Sequence, residues 1–213
     1  MEIVATGVEV NGAHGPLLPP TSLHVESGRT LLVTGDSDTA RTALALALSG
    51  RIKPSAGNVR LDDSGDGAAL RRSVAVVDAP QITAPDDALQ VRDVVAEGLS
   101  MAGRGSTRRK ARSWIDEREL PPTERIENLP AHQRTRLLIE LACAARGVRA
   151  LVLDSPDRHG GRPQHWYEHA TAQAERGLAV VVLCSPHSAD ALGAAATRIG
   201  VDDNETSVTE GAR

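Results

Sequence analysis

Gly35-Asp-Ser-Asp-Thr-Ala-Arg-Thr42 follows a short β-type run, Thr30-Leu-Leu-Val-Thr34, and leads straight into an apolar helical segment, residues 42–49, closed by Gly50. A strand, a tight loop and a helix N-terminus make a phosphate cradle, because unpaired N–H groups and the positive end of the helix dipole converge there. The strict phosphate-loop pattern is Gly, four residues, Gly-Lys, then Ser or Thr. Gly35 and Thr42 fit it, whereas Ala40 replaces the second Gly and Arg41 the Lys. Asp36 and Asp38 add negative charge where a phosphate would lie. Taken alone, the stretch also reads as a strand–turn–helix of small residues that binds nothing.

The surrounding elements must hold this loop. Residues 2–10 and 22–25 read as strands separated by a Gly/Pro-rich connection, residues 11–20. Lys53-Pro-Ser-Ala-Gly57 breaks the chain before a strand at Asn58-Val-Arg-Leu61, and residues 62–67 form a solvated turn. Val74-Ala-Val-Val-Asp78 is a continuous apolar run, as expected of a strand covered on both faces. Helical periods then dominate, over residues 91–100, 108–116 and 133–146. Ala150-Leu-Val-Leu-Asp154 returns to a buried strand. A helix over residues 163–176, a strand over 178–183, a short helix near Ser188 and edge strands at 197–201 and 207–208 complete the chain. Strands alternating with helices imply a parallel α/β sheet, and residues 82–147 a helical insertion.

A chain of 213 residues suits one large domain, or one domain with an inserted subdomain, and can bury a sizeable core. The net charge of −4, with Trp114, Trp166 and Tyr167 as the only aromatics, argues against nucleic-acid binding. Cys143 and Cys184 lie in apolar runs and are expected as buried free thiols in a reducing cytoplasm. No apolar run reaches the ~20 residues that span a bilayer, and the N-terminus lacks a signal-peptide pattern, so any membrane role is expected to come through a partner. His165, Glu168 and His169 share one helix without a further ligand and read as a solvated face rather than a metal site. The one basic cluster, residues 104–112, reads as a solvated helix start, or as a contact to a membrane partner or anionic lipid.

The order of the later pieces resembles that of ATP-binding-cassette (ABC) proteins over nearly the whole chain. Val76-Val-Asp-Ala-Pro-Gln81 is similar to their glutamine loop. Leu129-Pro-Ala-His-Gln133 sits where they carry Leu-Ser-Gly-Gly-Gln, and Leu151-Val-Leu-Asp-Ser-Pro156 at their Walker B strand. Val181-Val-Leu-Cys-Ser-Pro-His187 sits at their switch-histidine strand, and Thr197-Arg-Ile-Gly-Val-Asp-Asp203 at their closing strands. The resemblance implies a P-loop NTPase fold, with residues 1–81 and 148–213 as a nucleotide-binding core bearing N-terminal antiparallel strands. Residues 82–147 would be the helical subdomain that receives a transmembrane subunit. It also implies a dimer of cassettes, like or unlike, at the inner face of the cell membrane.

Residue by residue, the resemblance puts ATP at Gly35, Asp38, Thr39, Ala40, Arg41, Thr42, Ala43 and Gln81, and Mg²⁺ at Thr42 and Asp154. Thr42 otherwise simply caps its helix, and Asp154 otherwise bonds the loop's N–H groups. Arg41 keeps the charge of the family's Lys but not its shape, and Ala40 brings a β-carbon where backbone must approach phosphate. An Asp ~4 Å from a phosphate oxygen would cost about 4 kcal/mol at a dielectric of ~20 unless it points outward. The family's catalytic Glu is here Ser155, and a hydroxyl is no general base near neutral pH, a loss typically worth 10²–10⁴-fold. Pro130, Ala131 and His132 replace the signature's Ser-Gly-Gly, and Arg158-His-Gly-Gly161 does not reproduce the loop joining two family subunits. His187 lies one place past the switch position, and His14 is a poor substitute for the aromatic under adenine. The expectation is a cassette subunit whose ATP hydrolysis is absent or very slow, with regulatory or structural work. The alternative is an active ATPase whose partner cassette supplies the missing groups.

Overall fold

The computed structural model describes residues 1–105 and 107–201. The strand expected at Ser207 and Val208, and Asp202 and Asp203 of the closing segment, lie outside the described residues. In chain order the elements are β1 (Glu2–Gly12), β2 (Gly15–Glu26), β3 (Thr30–Thr34), α1 (Asp38–Leu48), β4 (Ala56–Leu61), α2 (Gly67–Ser73) and β5 (Val74–Val77). Three helices follow, α3 (Val91–Met101), α4 (Arg108–Asp116) and α5 (Ala131–Ala144). Then come β6 (Ala150–Asp154), α6 (Pro163–Glu175), β7 (Ala179–Cys184), α7 (Pro186–Leu192) and β8 (Ala196–Arg198).

Strands β5-β6-β7-β3-β8 form a parallel sheet, and β2-β1-β4 an antiparallel one. Side chains alternate across a strand, so the parallel sheet feeds two cores. Val33, Val152, Val181 and Leu183 join α1 and the antiparallel sheet on one side. Leu32, Leu151, Leu153, Val180 and Val182 face the other side, with α3, α5 and α6. Strands β6 and β7 are buried along their whole length, which accounts for their unbroken apolar sequence. Cys143 and Cys184 are free; burial pushes their thiols up to about 11 and about 12.

Two local expectations are corrected. The Gly/Pro-rich connection at residues 11–20 is mostly strand: β1 and β2 form one long hairpin, pairing Asn11 with Pro16 and Val10 with Leu18. Pro16, Pro19 and Pro20 are tolerated because β2 is an edge strand, where a missing N–H removes no interior ladder bond. Helix α2 was not expected, its seven residues being too few for a helical period; Asp66 caps it, accepting from the N–H groups of Ala68 and Ala69.

Gly57 is required where β4 crosses β1. Its φ is +72°, and a β-carbon would stand 2.1 Å from the Gly7 carbonyl oxygen. Gly57→Ala should therefore destabilise the fold by about 2 kcal/mol, read as a fall of roughly 4–8 °C in thermal melting. An unchanged midpoint would show that the two strands are free to separate here.

Candidate functional site

Thr34 ends β3 beside β7, and the loop of residues 35–37 turns the chain into α1. Ser37 caps α1, its hydroxyl accepting from the Ala40 N–H at 3.2 Å. Ala40 and Ala43 are buried in the core, while Asp36, Asp38 and Thr39 face solvent. A β-carbon on Gly35 would meet the end of the Ile199 side chain at 2.9 Å, so glycine lets the two segments pack closely.

The side chain of Arg41 folds back into this loop and is only 5% exposed. One guanidinium nitrogen donates to the Gly35 carbonyl and another to the Asp38 carboxylate, while Nε donates to Ser155 Oγ at 2.9 Å. Thr42 Oγ1 donates to Asp154 Oδ2 at 2.6 Å, and Ser155 Oγ to Asp154 Oδ1 at 2.9 Å. Gly35, Asp38, Arg41, Thr42, Asp154 and Ser155 thus form one connected polar network between α1 and the end of β6. Asp154 is 1% exposed. Burial raises its pKa, and the hydroxyls of Thr42 and Ser155, with Arg158 and Arg41, counter this only in part. Ser155 adopts a left-handed backbone, φ 53°, at the strand end.

Other expected residues stand apart. Gln81 is exposed, with φ 59°, and makes no side-chain hydrogen bond to that network among the described residues. His187 is exposed in the first turn of α7, and His14 at the tip of the β1–β2 hairpin. The loop before His187 is tied elsewhere, Ser185 Oγ and Ser188 Oγ donating to Asp157 Oδ2 at 2.6 and 2.8 Å. Burial would raise Asp157, but these donors more than offset it and leave its carboxyl below the ordinary range.

Sequence reasoning missed a second buried cluster. Asp78, at φ 63° after β5, accepts from Arg134 Nη2 at 3.1 Å, forms an ion pair with Arg158 Nη2 at 2.9 Å, and pairs with His159 Nε2 at 2.8 Å. Arg134 Nη1 also reaches Asp87 at 2.6 Å. The cluster joins the parallel sheet, the start of α5 and the turn after β6. Burial pushes Asp78 up, yet His159, Arg158 and Arg134 together hold its carboxyl below the usual range. The one signal in the sequence was an acid closing an apolar strand. Beside this cluster an apolar groove of about 350 Å³ runs between β5 and α3, lined by Ile82, Val94, Gly98, Met101 and Leu141. Ile82 and Met101 are 49% and 78% exposed there.

Solved structures of other proteins share this fold. The dimeric structure of a bacterial ABC transporter cassette superposes with a TM-score of 0.63 at 20% identity, covering 85% of this chain and 87% of that one. A nucleotide-free cassette from an ABC transporter gives 0.64 at 14% identity, covering 90% and 84%. In fold, this chain is an ATP-binding cassette. Among curated proteins, the taurine import ATP-binding protein of Pseudomonas syringae pv. tomato is 30% identical over 161 residues, 73% of the cassette. The hemin import ATP-binding protein of Rhodopseudomonas palustris is 28% identical over 168 residues. The cassette spans about 60% of the length of these relatives. No family model matches. No helix among the described residues is long and apolar enough to cross a membrane.

Proposed function

We propose that the cassette is an ATP-binding-type subunit of a transporter whose own nucleotide site is closed, so that it regulates or supports a membrane partner rather than hydrolysing ATP. The observation that carries this is Arg41. Its guanidinium is spent on Gly35, Asp38 and Ser155, inside the loop that would receive phosphate. A phosphate would have to displace Arg41 and lie beside the Asp38 carboxylate. Thr42 and Asp154 do fit a magnesium ion, as a hydroxyl and a carboxylate already side by side. The triphosphate cradle does not fit, and Ser155 offers no base for the attacking water.

The groove at Ile82 and Met101 supports docking of a membrane subunit on the helices between β5 and β6. An exposed apolar lining beside a rigid ion cluster suits a short helix from a partner. The relatives named for taurine and hemin import favour an importer.

The test is direct: titrate the purified chain with MgATP and follow phosphate release. The expected result is no saturable binding at low millimolar nucleotide and no turnover. Turnover of about 1 s⁻¹ or more, ordinary for an enzyme, would reject this reading.

A further inference from the structure

The chain leaving α1 wraps a cleft of about 490 Å³ between the end of that helix, β4 and α2. Its inner wall is apolar, made by Ala47, Val59 and Leu70, all buried. Gly50 lets α2 come this close. Its φ is +65°, and a β-carbon there would stand 2.7 Å from the Gly67 carbonyl oxygen. A space of this size is in the range of small-molecule pockets.

Three exposed cations, Arg51, Lys53 and Arg71, stand at the rim, and no carboxylate residue lines the cleft. Arg51 Nη1 donates to the Val74 carbonyl at 3.1 Å, and Arg71 Nη1 to the Gly50 carbonyl at 2.8 Å. Each guanidinium is thus anchored by one nitrogen and keeps further N–H groups to offer. Lys53 has no hydrogen-bond or ion-pair partner among the described residues. Elsewhere Arg41, Arg118 and Arg134 each meet a carboxylate. Arg51 and Arg71 do not, among the described residues. Asp66 lies between two lining glycines, but its carboxylate caps α2 and stands 3.9 Å from Arg72. Desolvation, and then the charge of Arg71, draw the Arg51 pKa below its ordinary value, as expected of two guanidiniums sharing one mouth without an acid to offset them.

We propose that this cleft binds a small organic phosphate monoester, its dianion held by Arg51, Lys53 and Arg71 and its organic part laid on Val59 and Leu70. Forked donors from two elements suit a single group with two charges and oxygens on several sides, which a phosphate monoester offers and a carboxylate does not. The site lies at the far end of α1 from the Arg41 network and does not depend on the reading of that network.

Phenyl phosphate, inorganic phosphate and phthalate are titrated calorimetrically into the purified chain at constant ionic strength and about pH 8, where phosphate groups are doubly charged. The expected result is saturable one-to-one binding of phenyl phosphate with a midpoint of about 0.1–1 mM. Inorganic phosphate should bind about tenfold more weakly, because the ring reaches the apolar wall. Phthalate, a dianion of similar size, should also bind about tenfold more weakly. Arg71→Gln should weaken phenyl phosphate about tenfold and Lys53→Ala, which removes an unpartnered side chain, about threefold, with circular dichroism showing both variants folded. Equal affinity for phthalate would overturn the phosphate assignment. Undiminished binding in either folded variant would overturn the arrangement described. If phenyl phosphate gives no saturable heat beyond sodium chloride, Arg51 and Arg71 serve only the carbonyls they anchor on, and the proposal is wrong.

Discussion

Asp38→Asn, Ala40→Gly and Arg41→Lys combined should raise the affinity of the cassette for MgATP by about 10²–10³-fold. Asp38 would face a phosphate, but its side chain is 82% exposed. Solvent screening therefore cuts the ~4 kcal/mol of an unscreened contact to roughly 2. A Lys free of Gly35, Asp38 and Ser155 adds one charge-assisted hydrogen bond, about 1.5–3 kcal/mol. Removing the Ala40 β-carbon opens the backbone to phosphate. Hydrolysis should remain very slow in this variant, because Ser155 still supplies no base. Adding Ser155→Glu should then raise turnover about 10²–10⁴-fold over the triple variant. Calorimetry and phosphate release measure the two steps, with circular dichroism confirming the fold. Equal affinity in the original chain and the folded triple variant would show that Arg41 does not close the loop.

Asp78→Asn should be the most damaging isosteric change outside that loop. Asn accepts the left-handed backbone that Asp78 adopts, so the substitution tests charge rather than geometry. It leaves Arg134, itself 4% exposed, and Arg158 without their shared carboxylate. Breaking a buried pair from one side costs about 3–5 kcal/mol, or roughly 10 °C in melting temperature for a chain of this size. The pH dependence has a definite sign. The carboxyl's folded-state pKa lies below its unfolded value, so its contribution is complete above about pH 4 and is lost as pH falls through the lowered value. The gap between the original chain and the variant should therefore close in acid. A gap that stays constant from pH 7 to pH 3 would mean that the charge on Asp78 stabilises nothing.

Much of the sheet was legible because its strands are simple. Ala150–Asp154 is apolar at every position up to its acid, and only a strand buried on both faces needs that. The hairpin was obscured by Pro16, Pro19 and Pro20, whose meaning depends on the strand lying at an edge, a fact of topology. The loop and its partner strand could be placed from Gly35, Thr42 and Asp154. The inward fold of Arg41 could not, since it depends on the rotamer of a long side chain and on Ser155, 114 residues away. Separation in sequence likewise hid the Asp78–Arg134 pair, 56 residues apart. No local pattern specifies which of 24 cations meets a given acid.

The prolines of β2 also limit how copies of the chain can meet. Pro16, Pro19 and Pro20 leave β2 with three fewer backbone donors, and a register shift at Pro19 and Pro20 interrupts its pleat. A foreign strand laid along that flank would find a gap in its bonding. Growth of the antiparallel layer by strand addition is thereby blocked there, and contacts on this flank must be made through side chains.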